Sequence, residues 1–177
     1  MMMVAPTLVA RTRAGLPFLA SNGSCGGNSP RNPLSHGKKF TRGKPPEATN
    51  IMPADLNGEC HTDYFATRGH GQGVLWFKEP KLMPIEIDPK IKFQHSLDLG
   101  DLDNDGDLDA VTSSKDPIDV TAWSENNGRG KFTQRIIVAK QGTYGNRAID
   151  MDNDGDKDIL IAGHTSNNVV WLENPLK

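Results

Sequence analysis

The chain has 177 residues, 36% of them hydrophobic and 24% charged, with a formal net charge of −2. That length and apolar share suffice for one domain with a sizeable core, while the longest apolar runs, such as 159–162, fall far short of the roughly 20 residues of a membrane-spanning helix. Charge is uneven: residues 1–50 hold seven Lys/Arg and one acid and the rest hold 13 and 21, so an acidic body follows a basic leader and nucleic acid is excluded as the expected partner.

At the N-terminus, Arg11 and Arg13 precede Ala14–Ala20, an imitation of a secretion signal whose apolar part is short and broken by Gly15 and Pro17. Residues 21–47 are rich in Gly, Ser, Asn, Pro and basic residues without a period, the composition of a flexible lead-in. Residues 1–46 are therefore expected to be a disordered leader and residues 47–177 the folded region. Cys25 and Cys60 are too few for a disulfide framework and leave the redox compartment open.

One acidic loop dominates the folded region. Asp101-Leu-Asp-Asn-Asp-Gly-Asp-Leu-Asp109 returns 49 residues later as Asp150-Met-Asp-Asn-Asp-Gly-Asp-Lys-Asp158. A degenerate copy, Asp55-Leu-Asn-Gly-Glu-Cys-His-Thr-Asp63, begins 46 residues earlier, and Trp76, Trp123 and Trp171 follow the three loop starts by 21, 22 and 21 residues. These spacings define units near 47–92, 93–140 and 141–177. Within them, short runs of Ile, Val, Leu and aromatics alternate with Gly, Asn and Asp, and no helical period is visible. Strands are predicted at 95–99, 110–113, 120–124 and 132–138 in the middle unit, and at 148–151, 159–162 and 169–172 in the last.

Four strands per repeat of this length describe a propeller blade. The expected fold is all-β: a partial β-propeller of about three four-stranded antiparallel blades, the last lacking its fourth strand. Three blades do not close a ring, which leaves a strand from the leader, self-association, or further blades of a longer protein to complete it.

Carboxylates at every second position repel one another unless a hard divalent cation sits among them, and calcium takes six to eight oxygens from such loops. Side chains at positions 1, 3 and 5 converge, a Gly at position 6 permits the turn, position 7 offers its carbonyl, and the last acid closes the shell. That assigns Asp101, Asp103, Asp105 and Asp109, with Asp107 through its carbonyl and Gly106 at the turn. The later loop assigns Asp150, Asp152, Asp154 and Asp158, with Asp156 and Gly155 in the same roles. In the first loop, Asp55, Asn57, Glu59 and Asp63 form a weaker set, because Asn57 removes a charge, Glu59 is long and Cys60 replaces the Gly. Two Ca2+ sites are expected, with a third weak or empty. An EF-hand needs a Glu at position 12 and flanking helices; Thr112 and Ile161 stand there, in strand-like runs. Hydrogen-bonded solvated turns are the bland alternative.

These loops, with their Trp-Ser-Glu-Asn126 and Trp-Leu-Glu-Asn174 tails, resemble the FG-GAP and VCBS repeat families over roughly residues 47–177. Phe-Gly and Gly-Ala-Pro signatures are absent, so the VCBS-like branch is the nearer. The resemblance implies integrin-type propeller blades with calcium in Asp-x-Asp-x-Asp-Gly-x-x-Asp loops, at the positions already assigned.

No catalytic constellation is visible. His70 and His164 occupy matching turns between second and third strands, on a face opposite the acidic loops that also gathers Tyr144, Arg147 and His95, and either a ligand surface or plain polar turns accounts for them. The three Trp residues are read as packing between blades. The expected function is a non-enzymatic calcium-binding module for adhesion or for binding a protein or carbohydrate ligand, extracellular or periplasmic because calcium is millimolar there. Rival readings are a fragment of a propeller-based polysaccharide lyase or hydrolase, and a truncated or decayed repeat protein.

Overall fold

Short runs of β-branched and aromatic residues, punctuated by Gly, Asn and Asp, leave the chain little choice but strands. The computed structural model describes residues 47–87, 90–115 and 119–176, and the leader with its signal-like segment and Cys25 lies outside them. Eleven strands form among the described residues, and no helix. Strands β1 (Ala48–Ala54), β2 (Asp63–Arg68), β3 (Val74–Lys78) and β4 (Met83–Glu86) make the first sheet. The second contains β5 (Gln94–Gly100), β6 (Asp109–Ser114), β7 (Val120–Asn126) and β8 (Phe132–Ala139). The third has three strands, β9 (Thr143–Ile149), β10 (Asp158–Gly163) and β11 (Asn168–Leu172).

Every pairing is antiparallel between consecutive strands, so each sheet is a meander. The second sheet lies between the other two, with β5 against β1 and β2 on one side and β9 on the other. The result is an open arc of propeller-type blades. One difference from the strand prediction is informative. β9 starts at Thr143 rather than near residue 148, because the polar stretch Tyr144–Arg147 pairs along β10, Gly145 opposite Ala162 and Arg147 opposite Leu160. Met151 falls in the loop, donating its N–H to Asp158 Oδ2 at 3.0 Å.

Two apolar cores fill the gaps between sheets. Ala54, Leu56, Phe65, Val74, Trp76, Leu97 and Ala110 form the first, flanked by Phe132; Leu102, Val111, Ile159 and Ile161 form the second, flanked by Trp123 and Leu172. The three Trp residues differ accordingly. Trp76 is 4% exposed and meets Phe132 of the next sheet edge-on, ring centroids 6.2 Å apart, whereas Trp171 is 45% exposed, because no further sheet covers the third among the described residues.

A repeated asparagine latches neighbouring sheets. Asn126 Nδ2, at the end of β7, donates to Leu56 O in the preceding loop at 2.9 Å and to Leu108 O at 3.1 Å. Asn174 Nδ2 repeats this one unit on, to Leu102 O at 2.8 Å and Lys157 O at 3.1 Å. The Trp-x-Glu-Asn tail is thus an inter-sheet hydrogen-bonding device, a role its recurrence in the sequence flags but does not explain.

Candidate metal centre

Each acidic loop joins the first and second strands of its sheet, and all three follow one backbone path. The position-6 N–H donates to the position-1 carboxylate: Cys60 to Asp55 Oδ2 at 2.7 Å, Gly106 to Asp101 Oδ2 at 3.0 Å, Gly155 to Asp150 Oδ2 at 3.2 Å. The position-5 N–H donates to the position-3 side chain: Glu59 to Asn57 Oδ1 at 3.2 Å, Asp105 to Asp103 Oδ1 at 3.3 Å, Asp154 to Asp152 Oδ1 at 3.2 Å.

Two positions per loop take positive φ. Gly106 and Gly155 at position 6 stand at 94° and 104°, and Asn104 and Asn153 at position 4 at 59° and 65°, matched by Gly58 at 70° in the first loop. Asn and Gly tolerate this region best. Their interchange at position 4 is a sequence signal that the metal-ligand spacing does not use. Cys60 holds φ at 61° without that tolerance, at a cost of about 1–2 kcal/mol, and is disulfide-bonded.

The structure brings ligand atoms of Asp101, Asp103 and Asp109 within 4.8 Å of one another, and likewise those of Asp150, Asp152 and Asp154. Asp105, Asp107, Asp156 and Asp158 stand outside these two groups. Asp105 Oδ1 instead accepts the Asp107 N–H at 2.9 Å, and Asp154 Oδ1 accepts the Asp156 N–H at 3.2 Å. The first-loop set Asp55, Asn57, Glu59 and Asp63 forms no such group among the described residues; Glu59 Oε1 turns to Lys78 Nζ at 2.8 Å.

Position 9 carries structural work beyond closing a shell. Asp109 accepts the Leu102 N–H at 3.1 Å on Oδ2 and the Asn126 N–H at 2.8 Å on Oδ1. Asp158 accepts from Met151 at 3.0 Å and Asn174 at 2.8 Å, and Asp63 from Glu79 at 2.9 Å. Each carboxylate therefore ties its loop to the end of the third strand.

Burial pushes the Asp109 carboxyl up to about 7 against the pull of those two N–H donors. Burial also raises Asp158, but there the N–H groups of Asn174 and Met151 prevail and its pKa lies below the usual value. The difference follows the packing: Asn174 and the third sheet close over the second loop at Leu102, whereas Met151 at the same place in the third loop is 40% exposed. Burial, then the neighbouring carboxylates, also raises Asp103, Asp107 and Asp156.

One atom tests whether a cation fits. Oδ1 of Asp101 and Oδ1 of Asp150 are buried without a hydrogen-bond partner, at the same position in both intact loops. Buried acceptors are rarely left so, and a hard cation is a partner of the right charge. In the first loop the corresponding Asp55 Oδ1 accepts the Glu59 N–H at 3.2 Å.

Residues 101–161, from the second acidic loop into β10, match the family model of the FG-GAP-like repeat. This stretch is similar to an FG-GAP-like repeat. The match and the three meander sheets are together consistent with a repeat module of β-propeller type. Comparison with curated proteins and comparison with solved structures each gave no match. The FG-GAP-like match takes in both intact loops and stops short of the first.

Proposed function

We propose that this chain is a calcium-stabilised, non-enzymatic repeat module for adhesion or ligand binding, acting outside the cytoplasm, where calcium is millimolar. The orphaned, buried Oδ1 of Asp101 and of Asp150 carries the reading. Asp101, Asp103 and Asp109 would hold one ion, and Asp150, Asp152 and Asp154 the other, with Asp105, Asp158 and the carbonyls of Asp107 and Asp156 as further oxygens. Bound there, calcium supplies positive charge that offsets the mutual repulsion of the acids and lets them ionise despite burial. The residues themselves fix the turn and connect it to the third strand, so an occupied loop stiffens the attachment of its sheet.

Calcium titration into chelator-treated protein by calorimetry, with melting temperature followed on the same samples, tests this. Two sites and a rise in melting temperature are expected. Absence of binding would overturn the reading.

A further inference from the structure

Phe132 shows how a fourth strand joins two sheets. At the start of β8 it pairs with Asn126 of β7, and its ring reaches the first core, 6.2 Å from the Trp76 centroid and 5.5 Å from that of Phe65. Leu56, Trp76 and Ala110 belong to that seat. One unit on, Leu102, Trp123 and Ile159 hold the same places, and there they line an apolar groove of about 190 Å³ bounded by Ile137 and Leu172. A cavity of about 150 Å³ accepts benzene, so the groove takes one phenyl ring. Beside it, the outer edge of β11 has no partner strand among the described residues, and Val169 and Trp171 on β11 are 74% and 45% exposed. Such an edge is a template for another strand.

The motif around Phe132 occurs once more. Gly130-Lys-Phe-Thr133 returns, with one lysine inserted, as Gly37-Lys-Lys-Phe-Thr41 in the basic leader outside the described residues, and Lys-Phe-Thr stands nowhere else in the chain. Charge draws leader and body together, since residues 1–50 hold seven Lys/Arg against one acid and the rest hold 13 against 21. Chain length then selects the donor. Ala48, the first residue of β1, follows Phe40 by eight residues, and Thr143, the first residue of β9 in the neighbouring sheet, follows Phe132 by 11. Eight extended residues span at most about 29 Å, enough to run along a strand and enter an adjoining sheet but not to pass a whole sheet further. Within one chain the second sheet lies between the first and the third, so the donor is a second copy.

We propose that residues 38–44 of a second copy add to β11 as the fourth strand of the third sheet and seat Phe40 in the groove at Trp123. In the register of β7 with β8, where Phe132 faces Asn126, Phe40 lies opposite Asn174, and Lys39 falls diagonal to Glu173, within reach of a long side chain. Main-chain bonds along β11 supply affinity, and the ring in its groove fixes the register. Reciprocal exchange between two copies of three sheets would bring six round one axis, within the four to eight blades of closed propellers. The asparagine latch does not recur at this junction. Its place in the first sheet is taken by Glu79, whose N–H meets Asp63 as that of Asn126 meets Asp109, so the donated strand and Phe40 carry the attachment.

This inference goes beyond the proposed function and does not depend on calcium in the loops. Sedimentation of the full chain over a range of concentrations tests it, and a dimer is expected. Phe40→Glu should raise the dimer dissociation constant about 100-fold or more, since it replaces a buried ring by a charge, while far-UV circular dichroism stays that of a folded β protein. Ile137→Glu is the second probe: Ile137 is 41% exposed, so the fold tolerates the change, and the carboxylate closes the groove to the ring. Each variant alone should sediment as a monomer, and an equal mixture should form a one-to-one heterodimer, because one copy keeps its segment and the other its groove. A monomeric full chain, a dimer indifferent to Phe40→Glu, or a mixture that stays monomeric would overturn the assignment. A monomer whose melting temperature falls on Phe40→Glu would place the segment against its own chain and likewise overturn donation between copies.

Discussion

The first acidic loop and the two intact ones share a backbone path but resolve their charge differently. In the first, Lys78 stands where the other units carry Glu125 and Glu173, and its ammonium reaches Glu59 at 2.8 Å. That hydrogen bond, with the lysine charge, holds the Glu59 carboxyl below its usual range. Asp55 has both oxygens engaged by backbone N–H groups, while Asp101 and Asp150 each keep one buried oxygen unmatched. In the second unit the corresponding Glu125 turns away to Arg135 on β8, at 2.5 Å. Turn chemistry at positions 4 and 6 therefore sets the shape of the loop, and the charges at positions 3 and 5 and on the third strand set the first loop, with its own ammonium, apart from the two all-acid loops.

Chelation should have the largest effect. At calcium 100-fold above its dissociation constant, each occupied site adds about 2.7 kcal/mol, so chelator should lower the melting temperature markedly, and a stoichiometry of three instead of two would break the contrast between the loops. Asp101→Asn should next remove one calcium equivalent and part of that shift, leaving the Asp150 loop titratable by calorimetry. Asn126→Ala should cost about 1–3 kcal/mol in urea denaturation, because it strands the buried Leu56 carbonyl; Asn174→Ala should cost less, since its contact is only partly buried.

The triple change Asn57→Asp, Glu59→Asp and Lys78→Glu sharpens the comparison from the other side. It removes the internal ammonium and restores the acids, and a third calorimetric site is expected, weak because Cys60 still occupies position 6. The smallest effect concerns His95. Burial, then His70 and Lys115, lowers it from 6.5, so the folded state binds fewer protons than the unfolded between the two values. The stability it contributes is present above pH 6.5 and lost as pH falls toward the folded value. An NMR titration should place its midpoint below 6.5, and Lys115→Ala should raise it.

Much of the architecture was legible in the chain. The Trp spacing and the nine-residue loops mark the repeats, and β5 to β8 lie within two residues of the predicted strands, the largest difference being at the end of β7. The start of β9 was not legible, since Tyr144–Arg147 looks like a turn until it pairs with β10. Of the candidate ligands, two triads are drawn together in space, while Asp109 and Asp158 also hold their loops to the third strand, a duty no spacing argument contains. The recurring Trp-x-Glu-Asn tail marks Asn126 in the sequence, but that Asn126 reaches Leu56 and Lys78 reaches Glu59 could not be read from it, because each partner lies in a distant segment.

What the sequence determined by itself is local: alternation within strands, αL residues at positions 4 and 6, and the crowding of acids, all read within nine residues or fewer. Tertiary structure alone decided the rest. Lys78 meets Glu59 across 19 residues and Asn174 meets Leu102 across 72, and the edge-on rings of His70, His95, Tyr144 and His164 draw on three sheets. Burial of Trp76, exposure of Trp171 and the unmatched oxygens of Asp101 and Asp150 likewise depend on which sheet packs against which. A charge or ring acquires its role from what faces it, and facing is a property of the packed sheets.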